Sequence, residues 1–483
     1  MIPVKENKAT TLEIKNFDGI PFYQITNHDK MPAFFMTILS PSNHWMFISS
    51  NGALSAGRKN ADYALFPYYT EDKITESVEN TGCKTIIKGI YNQESFIWEP
   101  FSTNQQTTFS ICRNLYKSVY GNQIIFEEIN ETLQITFRYQ WSNSEQFGFV
   151  RKATLDNWST KTYDLVVLDG LQNILPAGVG SDLQNFYSNL VDAYKSSELV
   201  EEVSLGIYAL SAVIVDRAEP SEALKANTVW SFGLENSKIL LSVNQLEHFR
   251  TNQNIYTENE NKGGKGAYFL VKNIQIKTET KEWFIVANVN QNQSKVVKLS
   301  NELKNPYQVI NAVLTDIKNN TNSLINLVNT ADGIQKTGDF LKDSRHFANV
   351  VFNCMRGGIF DKNYQITKDD FVAYLQNANP KLAAHFKQNY YNQLPENFSK
   401  DILEAICLKH LKNYPNLNIP LLKNRIYPNY NDHIFLPDYI EGFYIYGLEI
   451  SVDLNETDFA VIENDDGVIS KDECLKLLGI LEQ

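Results

Sequence analysis

The sequence predicts a mainly β fold with a helical segment: a large antiparallel β-sandwich, then linker helices and a small α+β tail. Apolar and polar residues alternate through 11–15, 84–90, 123–129 and 132–139, a spacing of two that is typical of strands with one buried face. Val, Ile, Tyr, Phe and Thr dominate these runs, and turns rich in Asn and Gly separate them. After about residue 300 the apolar spacing becomes helical.

The elements follow in order along three predicted domains, 1–295, 296–425 and 426–483. One helix interrupts the first domain, because Leu183, Phe186, Leu190 and Tyr194 recur at helical spacing after Gly178. The Asn- and Gln-rich stretch 288–300 is the predicted boundary. Helices are then predicted from Pro306, over 345–354, from Thr367 and over 401–411. In the tail, strands are predicted on both sides of a turn at 464–467, before a last helix over 474–481.

Composition excludes several classes of function. The net charge of −12 and the lack of a Lys/Arg cluster argue against a nucleic-acid partner. No apolar run is long enough to span a membrane, and the N-terminus lacks the apolar core of a signal peptide, so a cytoplasmic protein is expected. The five cysteines have no Cys-x-x-Cys spacing and are expected to be reduced thiols.

Four further patterns favour structural roles over chemistry. Residues 462–473 resemble a calcium loop but have Ile462 at the leading ligand position, so a β-hairpin turn is favoured. Residues 261–268 lack the Ser or Thr of a phosphate loop and predict a mobile hairpin. The acidic cluster 216–222 favours a salt-bridge network over a catalytic carboxylate pair. The seven histidines have no metal-ligand spacing, so neither a metal nor a cofactor is expected.

The best candidates for ligand binding lie in one segment of the first domain. Arg58, Lys59, Asn60 and Asp62 are polar groups that can bind sugar hydroxyls in pairs, and Tyr68 offers an aromatic platform nearby. The alternative, held equal, is a loop that packs against the neighbouring helical domain. The tryptophans at 45, 98 and 141 could serve either in ligand binding or in the core, and the core is favoured.

Several longer motifs carry a resemblance to a known family. They are Ile48–Gly52, Ser55–Asp62, Thr162–Pro176 with its Asp-Gly-Leu-Gln-Asn-Ile-Leu-Pro run, Leu190–Lys195 and Val215–Pro220. Together they resemble the N-terminal part of cellobiose phosphorylase-like proteins. The resemblance covers roughly residues 1–425 and implies a galactose mutarotase-like supersandwich followed by linker helices. Within it, Asp169-Gly170 is expected to form a turn at the end of an apolar strand.

The resemblance also implies what to expect of activity and partners. In such phosphorylases a single Asp general acid and the phosphate-binding residues lie in a helical barrel. Twelve helices would need roughly 200 residues, whereas 300–425 reads as about four helices. No catalytic residue is therefore carried over, and catalytic positions are expected to be absent. A carbohydrate ligand, a homodimer or a separate catalytic subunit are the implied partners.

Three accounts stay open at this point. In the first, the chain is a noncatalytic carbohydrate-binding or scaffold protein. In the second, it is one half of a split or shortened enzyme acting on β-glucosides. These two accounts are favoured together. The alternative is a stand-alone, epimerase-like enzyme with a site on the sandwich face. That third account needs a His and a carboxylate on one sheet face, and Glu247 and His248, adjacent on a predicted strand, would point to opposite faces.

Overall fold

A computed structural model confirms the predicted fold class, a mainly β chain built from antiparallel sheets. The structure describes residues 10–69, 71–102, 108–186, 188–212, 224–331, 333–357, 365–378 and 391–399, with the separate positions 384, 387–388, 402, 405, 463–464 and 467–468. The chain divides into two compact units, residues 1–322 and 323–483. The three-domain division drawn from the sequence stays a prediction.

The described strands are short to medium in length and number twenty-four. They are β1 Leu12–Phe17, β2 Ile20–Ile25, β3 Phe35–Thr37, β4 His44–Ser49, β5 Leu54–Arg58, β6 Ala64–Phe66, β7 Gly82–Tyr91, β8 Glu94–Trp98, β9 Ile111–Ser118, β10 Ile124–Asn130, β11 Ile135–Ser144, β12 Gly148–Asn157, β13 Tyr163–Ile174, β14 Lys195–Val200, β15 Leu205–Leu210, β16 Lys225–Phe232, β17 Lys238–Leu240, β18 Glu260–Lys262, β19 Gly266–Ile276, β20 Thr280–Asn292, β21 Gln365–Thr367, β22 Asn397–Ser399, β23 Glu463–Asn464 and β24 Gly467–Val468.

The described helices are α1 Glu71–Glu76, α2 Ser181–Phe186, α3 Ser188–Tyr194, α4 Leu246–Arg250, α5 Gln293–Glu302, α6 Pro306–Thr330, α7 Phe340–Gly357 and α8 Lys368–Ala378. Three short 3-10 turns cover His28–Lys30, Glu201–Val203 and Tyr391–Gln393. None of the helices in the described ranges combines the length and the hydropathy needed to cross a bilayer.

Three sheets build the first unit. An eleven-stranded sheet has the order β1-β2-β9-β10-β11-β12-β20-β16-β15-β14-β18, a five-stranded sheet has the order β17-β19-β13-β7-β8, and a four-stranded sheet has the order β3-β4-β5-β6. The long strands β11, β12 and β20 pair in antiparallel register at the centre of the large sheet, with Ala153 opposite Tyr139 and Trp283. Neighbours in the chain are therefore often, but not always, neighbours in a sheet.

The main core lies where the inner faces of these sheets meet. Strand β11 alternates as its sequence predicts: Phe137, Tyr139 and Trp141 point into the core cluster, and Arg138 and Gln140 between them do not. The five-stranded sheet adds Val167 and Leu270, among others, to the same cluster. Burying large apolar and aromatic side chains from facing sheets is what holds a sandwich together.

Each sheet also buries apolar residues on its second face. On the five-stranded sheet, Leu168 and Phe269 pack against Leu246 and Phe249 of α4. On the eleven-stranded sheet, Val150, Trp230 and Val286 pack against α5 and α6 through Leu303, Val309 and Val313. The sequence predicts an apolar stripe at Val309/Ile310, Val313/Leu314 and Ile317 on this helix. Val309, Val313 and Ile317 lie on the sheet side of α6, whereas Leu314 is 43% exposed, and α6 begins at Pro306 as predicted.

The predicted turn at Asp169-Gly170 is wrong. Both residues lie inside β13, where Asp169 is opposite Leu270 and Gly170 is opposite Phe269. The Asp169 carboxylate is fully buried and accepts two hydrogen bonds from Arg151, at 2.6 and 2.8 Å, and one each from Thr85 and Trp283, at 2.6 Å. A buried charge needs such partners, so the pair acts as a polar clamp between the two large sheets.

The helices of the second unit follow the sequence with shifted ends. The helix predicted over 345–354 extends over Phe340–Gly357, and the one predicted from Thr367 begins at Lys368. Asp339 accepts hydrogen bonds from the backbone N–H groups of Leu341 and Lys342, which satisfies donors at the start of α7. Apart from positions 402 and 405, the helix predicted over 401–411 lies outside the described residues.

Two other predictions are corrected or only partly covered. Residues 261–268 do not form a hairpin, because β18 pairs with β14 of the large sheet while β19 belongs to the five-stranded sheet. In the tail, Glu463 pairs with Val468 and Asn464 with Gly467, as the predicted hairpin requires. The acidic cluster 216–222 and the rest of the predicted tail lie outside the described residues.

The first unit should lose stability in acid because of buried histidines. Burial lowers the pKa of His28 to about 4, against a normal value of 6.5, and it also holds the pKa of His44 well below normal. Both are therefore neutral when folded and take up protons on unfolding. The contribution of His28 is complete above pH 6.5 and is lost as the pH falls toward about 4, and that of His44 is likewise lost as the pH falls below 6.5. Each group adds a slope of up to ~1.4 kcal/mol per pH unit.

Denaturant unfolding followed by tryptophan fluorescence would measure this effect, because all six tryptophans lie in the first unit. The variant His28→Leu should flatten the profile between pH 6.5 and about 4. The exposed His248, changed to Gln, is the control and should leave the slope unchanged. Equal slopes in wild type and His28→Leu would contradict the assignment.

Candidate functional site

The predicted ligand-binding segment forms the turn between β5 and β6. The backbone N–H of Arg58 donates to the carbonyl of Tyr63 at 2.9 Å, and that of Lys59 donates to the carbonyl of Asn43 at 2.7 Å. Lys59 has a positive φ of 63°. The Asn60 side chain accepts the backbone N–H of Asp62 at 3.0 Å. These bonds hold the turn in one conformation.

Arg58 is half-buried and joins segments that are far apart in sequence. Its Nε donates to Asn43 Oδ1 at 2.6 Å and its Nη1 donates to Asn288 Oδ1 at 3.3 Å. Burial lowers the pKa of the guanidinium from its usual value, while the nearby carboxylates of Glu145 and Asp316 raise it. A charged group that is partly desolvated and offers further N–H donors is suited to binding polar ligands.

Arg58 lies at one wall of a cleft of about 450 Å³ in the first unit. The walls are the β5–β6 turn, the β11–β12 turn at 145–147, the end of β20 at 288–291 and one side of α5. Asn288 ties these parts together, because its Nδ2 also donates to the carbonyl of Gln146 at 3.2 Å. The volume is within the ~300–1,000 Å³ usual for small-ligand sites.

A bulge in β20 shapes the floor of this cleft. The register with β16 shifts between Ala226 and Thr228, because Val289 and Asn290 of β20 lie opposite a single residue of β16, Asn227. Its side chain donates to the carbonyls of Ala64 and Leu175 and accepts the backbone N–H of Asn290 at 2.8 Å. Thr228 lines the cleft and is 1% exposed, and its hydroxyl has no hydrogen-bond partner among the described residues.

The structure separates the residues that the sequence grouped together. Arg58 and Lys59 line the cleft. Asp62 instead accepts the backbone N–H of Ser181 at 3.0 Å, beside the start of α2. Tyr68 packs edge-on against Trp45, at 5.5 Å between ring centroids, on the face of β5 opposite to Arg58. Ligand binding by Arg58, Lys59, Asn60, Asp62 and Tyr68 stays a prediction.

Tyr68 ends a row of aromatic rings on the four-stranded sheet. Phe35 stacks on Phe47 at 5.9 Å, Phe47 lies 5.9 Å from Trp45, and Trp45 donates through Nε1 to the carbonyl of Asn60. The predicted core position of Trp98 and Trp141 is confirmed, since both are fully buried. Trp45 is 7% exposed and lies outside the main core cluster.

Sequence reasoning missed most of the cleft. In the sequence, Asn288 and Asn290 belong to the predicted polar boundary segment, and no local pattern marks Asn43 or Thr228. The density of asparagine in 288–292 was the available signal, because such side chains often bond to backbone groups in irregular segments. Pairing Arg58 with Asn288 requires the sheet register, which the sequence does not display.

The strand predicted for Glu247 and His248, the pair weighed against the epimerase-like alternative, is wrong. Both residues lie on helix α4, not on a strand. Among the described residues there is no group of three or more His, Cys, Asp or Glu side chains arranged to hold a metal ion.

Comparison with known proteins adds one family match. Residues 360–414 match the family model described as glycoside hydrolase family 149 insertion domain 1. No curated protein sequence matches the chain. The match supports the coarse prediction of a carbohydrate-active, glycoside hydrolase- or phosphorylase-like chain.

Three solved structures are similar at low scores. A bacterial glucoamylase complexed with acarbose has a TM-score of 0.39 and 12% identity, over 80% of this chain and 55% of that one. A protein named as a kojibiose phosphorylase, from the human microbiome, has a TM-score of 0.24 and 9% identity, over 62% of this chain and 30% of that one. A protein named as an aldose 1-epimerase, from Klebsiella pneumoniae, has a TM-score of 0.31 and 8% identity, over 62% of this chain and 92% of that one. The chain thus spans about half of the glucoamylase, and scores this low carry no functional argument.

Proposed function

We propose that this chain is the carbohydrate-binding sandwich and linker-helix part of a cellobiose phosphorylase-like system, and that it is noncatalytic by itself. The barrel that carries out phosphorolysis of β-glucosides would be supplied elsewhere in that system. The sequence motifs at 48–62 and 162–176 and the insertion-domain match at 360–414 support the family level of this proposal. The cleft at Arg58 carries the binding role.

The lining of the cleft suits a neutral polar ligand. Five lining residues carry amides, namely Asn43, Gln146, Asn288, Asn290 and Gln291. An amide offers a donor and an acceptor side by side, which matches the vicinal hydroxyls of a sugar. The charged residues of the lining are four cations, Arg58, Lys59, Lys295 and Lys298, and two carboxylates, Glu145 and Glu302. The two carboxylates disfavour a polyanion, which leaves a neutral saccharide as the ligand we propose.

The carboxylates of the cleft support binding more than bond cleavage. Glycosidic bond cleavage uses a carboxylic acid that is desolvated so that it keeps its proton. Glu302 instead lies 3.7 Å from Lys298 on the solvent side of α5, as an i,i+4 ion pair. Asp316 does not line the cleft; it accepts hydrogen bonds from the Ser144 hydroxyl and the Gln146 backbone N–H, so it holds the β11–β12 turn in place.

The binding role predicts a measurable loss in two variants. Arg58→Gln should weaken the binding of a β-linked gluco-oligosaccharide by about tenfold or more, since it removes charged donors worth ~1.5–3 kcal/mol. Lys59→Gln should weaken it by about three- to tenfold. The exposed Lys277, changed to Gln, is the matched control away from the cleft and should bind as wild type does. Calorimetric titration measures the Kd, and thermal unfolding checks that each variant is folded.

The noncatalytic part of the proposal has its own test. The purified chain, incubated with cello-oligosaccharides and phosphate, should neither consume phosphate nor release a sugar phosphate. Phosphorolysis by the chain alone would overturn it. A chain that binds none of the gluco-oligosaccharides would overturn the binding role.

A further inference from the structure

A second cavity lies beside the Arg58 cleft in the first unit. It is open, has a volume of about 1020 Å³, and lies along α5 and the first turns of α6. Four residues line both cavities: Gln146, Phe147, Lys298 and Glu302. The two cavities therefore meet at the β11–β12 turn and at the Lys298–Glu302 ion pair of α5.

We propose that the two cavities form one extended groove, which binds a linear, neutral oligosaccharide along α5 with its end in the Arg58 cleft. This inference rests on the proposed function and deepens it, because it names a chain of several sugar rings as the ligand. The ligand is recognised by amide side chains along its length and by Arg58 at one end.

The chemistry of the second cavity repeats that of the first. Its lining contains five amide side chains, Gln146, Gln293, Asn301, Asn305 and Gln308. Its charged lining residues are Lys298 and Glu302, which pair with each other. Val297 of α5 is 60% exposed and lines the same cavity, so it offers a small apolar surface between polar groups. Alternating amides and apolar surface match the hydroxyl edges and C–H faces of sugar rings.

The dimensions favour an oligosaccharide over a single sugar. The second cavity is at the upper end of the ~300–1,000 Å³ range for small-ligand sites, and the first adds to it. The ten residues of α5 give a wall of about 15 Å. One sugar ring would leave most of this groove empty, whereas a chain would place further rings along it.

A chain-length series tests the inference. Calorimetric titrations with glucose and with β-linked gluco-oligosaccharides of increasing length should show a Kd that falls by at least about tenfold, as each added ring gains hydrogen bonds. The variant Gln308→Ala changes the second cavity only. It should raise the Kd of the long chains by about three- to tenfold and leave the Kd of the shortest ligand that binds unchanged.

The controls separate this inference from the proposed function. Gln253→Ala, an exposed amide outside both cavities, should leave the whole series unchanged. Arg58→Gln should weaken the binding of every ligand in the series. Binding that is independent of chain length, or a Gln308→Ala variant that matches wild type throughout the series, would overturn the extended groove while the binding role stands. If no ligand in the series binds, both the extended groove and the proposed binding role are wrong. Preference for an acidic saccharide over its neutral counterpart would also overturn the neutral-ligand inference.

Discussion

Replacing Asp169 by alanine should lower the free energy of unfolding of the first unit by about 3–5 kcal/mol, because it leaves the Arg151 guanidinium as an uncompensated buried charge. Both side chains are fully buried in the core between the two large sheets. Trp283 Nε1 and the Thr85 hydroxyl would lose the same acceptor. Equilibrium denaturation followed by tryptophan fluorescence reports on this unit, since every tryptophan lies in it.

The chain offers a matched control one residue away. Lys152 pairs with Glu282 at 2.7 Å on adjacent strands of the same sheet, but both side chains are partly exposed. Glu282→Ala should cost no more than about 1 kcal/mol, because water screens an exposed pair. A double variant, Arg151→Met with Asp169→Leu, should recover much of the loss, since it removes both charges. Equal costs for Asp169→Ala and Glu282→Ala would refute the polar clamp.

The second large effect is expected at Gly148, at the start of β12. Gly148 has a φ of +92°, and an added Cβ would lie 2.3 Å from the carbonyl oxygen of Ala287 and 2.9 Å from the side chain of Asn288. Gly148→Ala should therefore destabilise by about 2–4 kcal/mol, the sum of an unfavourable backbone conformation and an overlap with backbone atoms. Because Asn288 and the 145–147 turn wall the cleft, oligosaccharide binding should weaken as well.

Gly178 provides the comparison for this variant. Its φ of +88° is nearly the same, but an added Cβ would meet only Leu210, at an ordinary contact distance of 3.7 Å. Gly178→Ala should cost about 1 kcal/mol, from the backbone conformation alone, and should leave binding unchanged. The difference between the two variants isolates the overlap at β20. If Gly148→Ala cost no more than Gly178→Ala, this account of the turn would be wrong.

Local patterns predict the class of most elements, although Glu247 and His248 lie on a helix and Asp169-Gly170 lies within a strand. The alternation in β11 identifies which side chains enter the core, and the sequence correctly predicts the Pro306 start of α6 and the part of its apolar stripe formed by Val309, Val313 and Ile317. Periodicity works because it depends on residues within one or two turns of each other. Element ends were less well determined, as α7 shows, because capping contacts vary over a few residues.

The helix predicted from Asp182 illustrates a further limit. The described residues there, in α2 and α3, are helical as predicted, but the apolar residues Phe186 and Leu190 are 76% and 50% exposed. Val191, one position further along α3, is buried. The spacing identified helical structure correctly, but which face is buried depends on the position of the neighbouring strands.

By itself, the sequence determined the mainly β class, the change to helices after about residue 300 and the resemblance to phosphorylase-type sandwiches. Only the tertiary structure shows that Asp169 is buried against Arg151 and that Arg58 donates a hydrogen bond to Asn288. It also shows that Asp62 and Tyr68 contact Ser181 and Trp45 instead of lining the cleft. The physical reason is separation along the chain. Periodicity is a property of neighbouring residues, whereas the partner of a buried charge is chosen by strand register, which many residues set together.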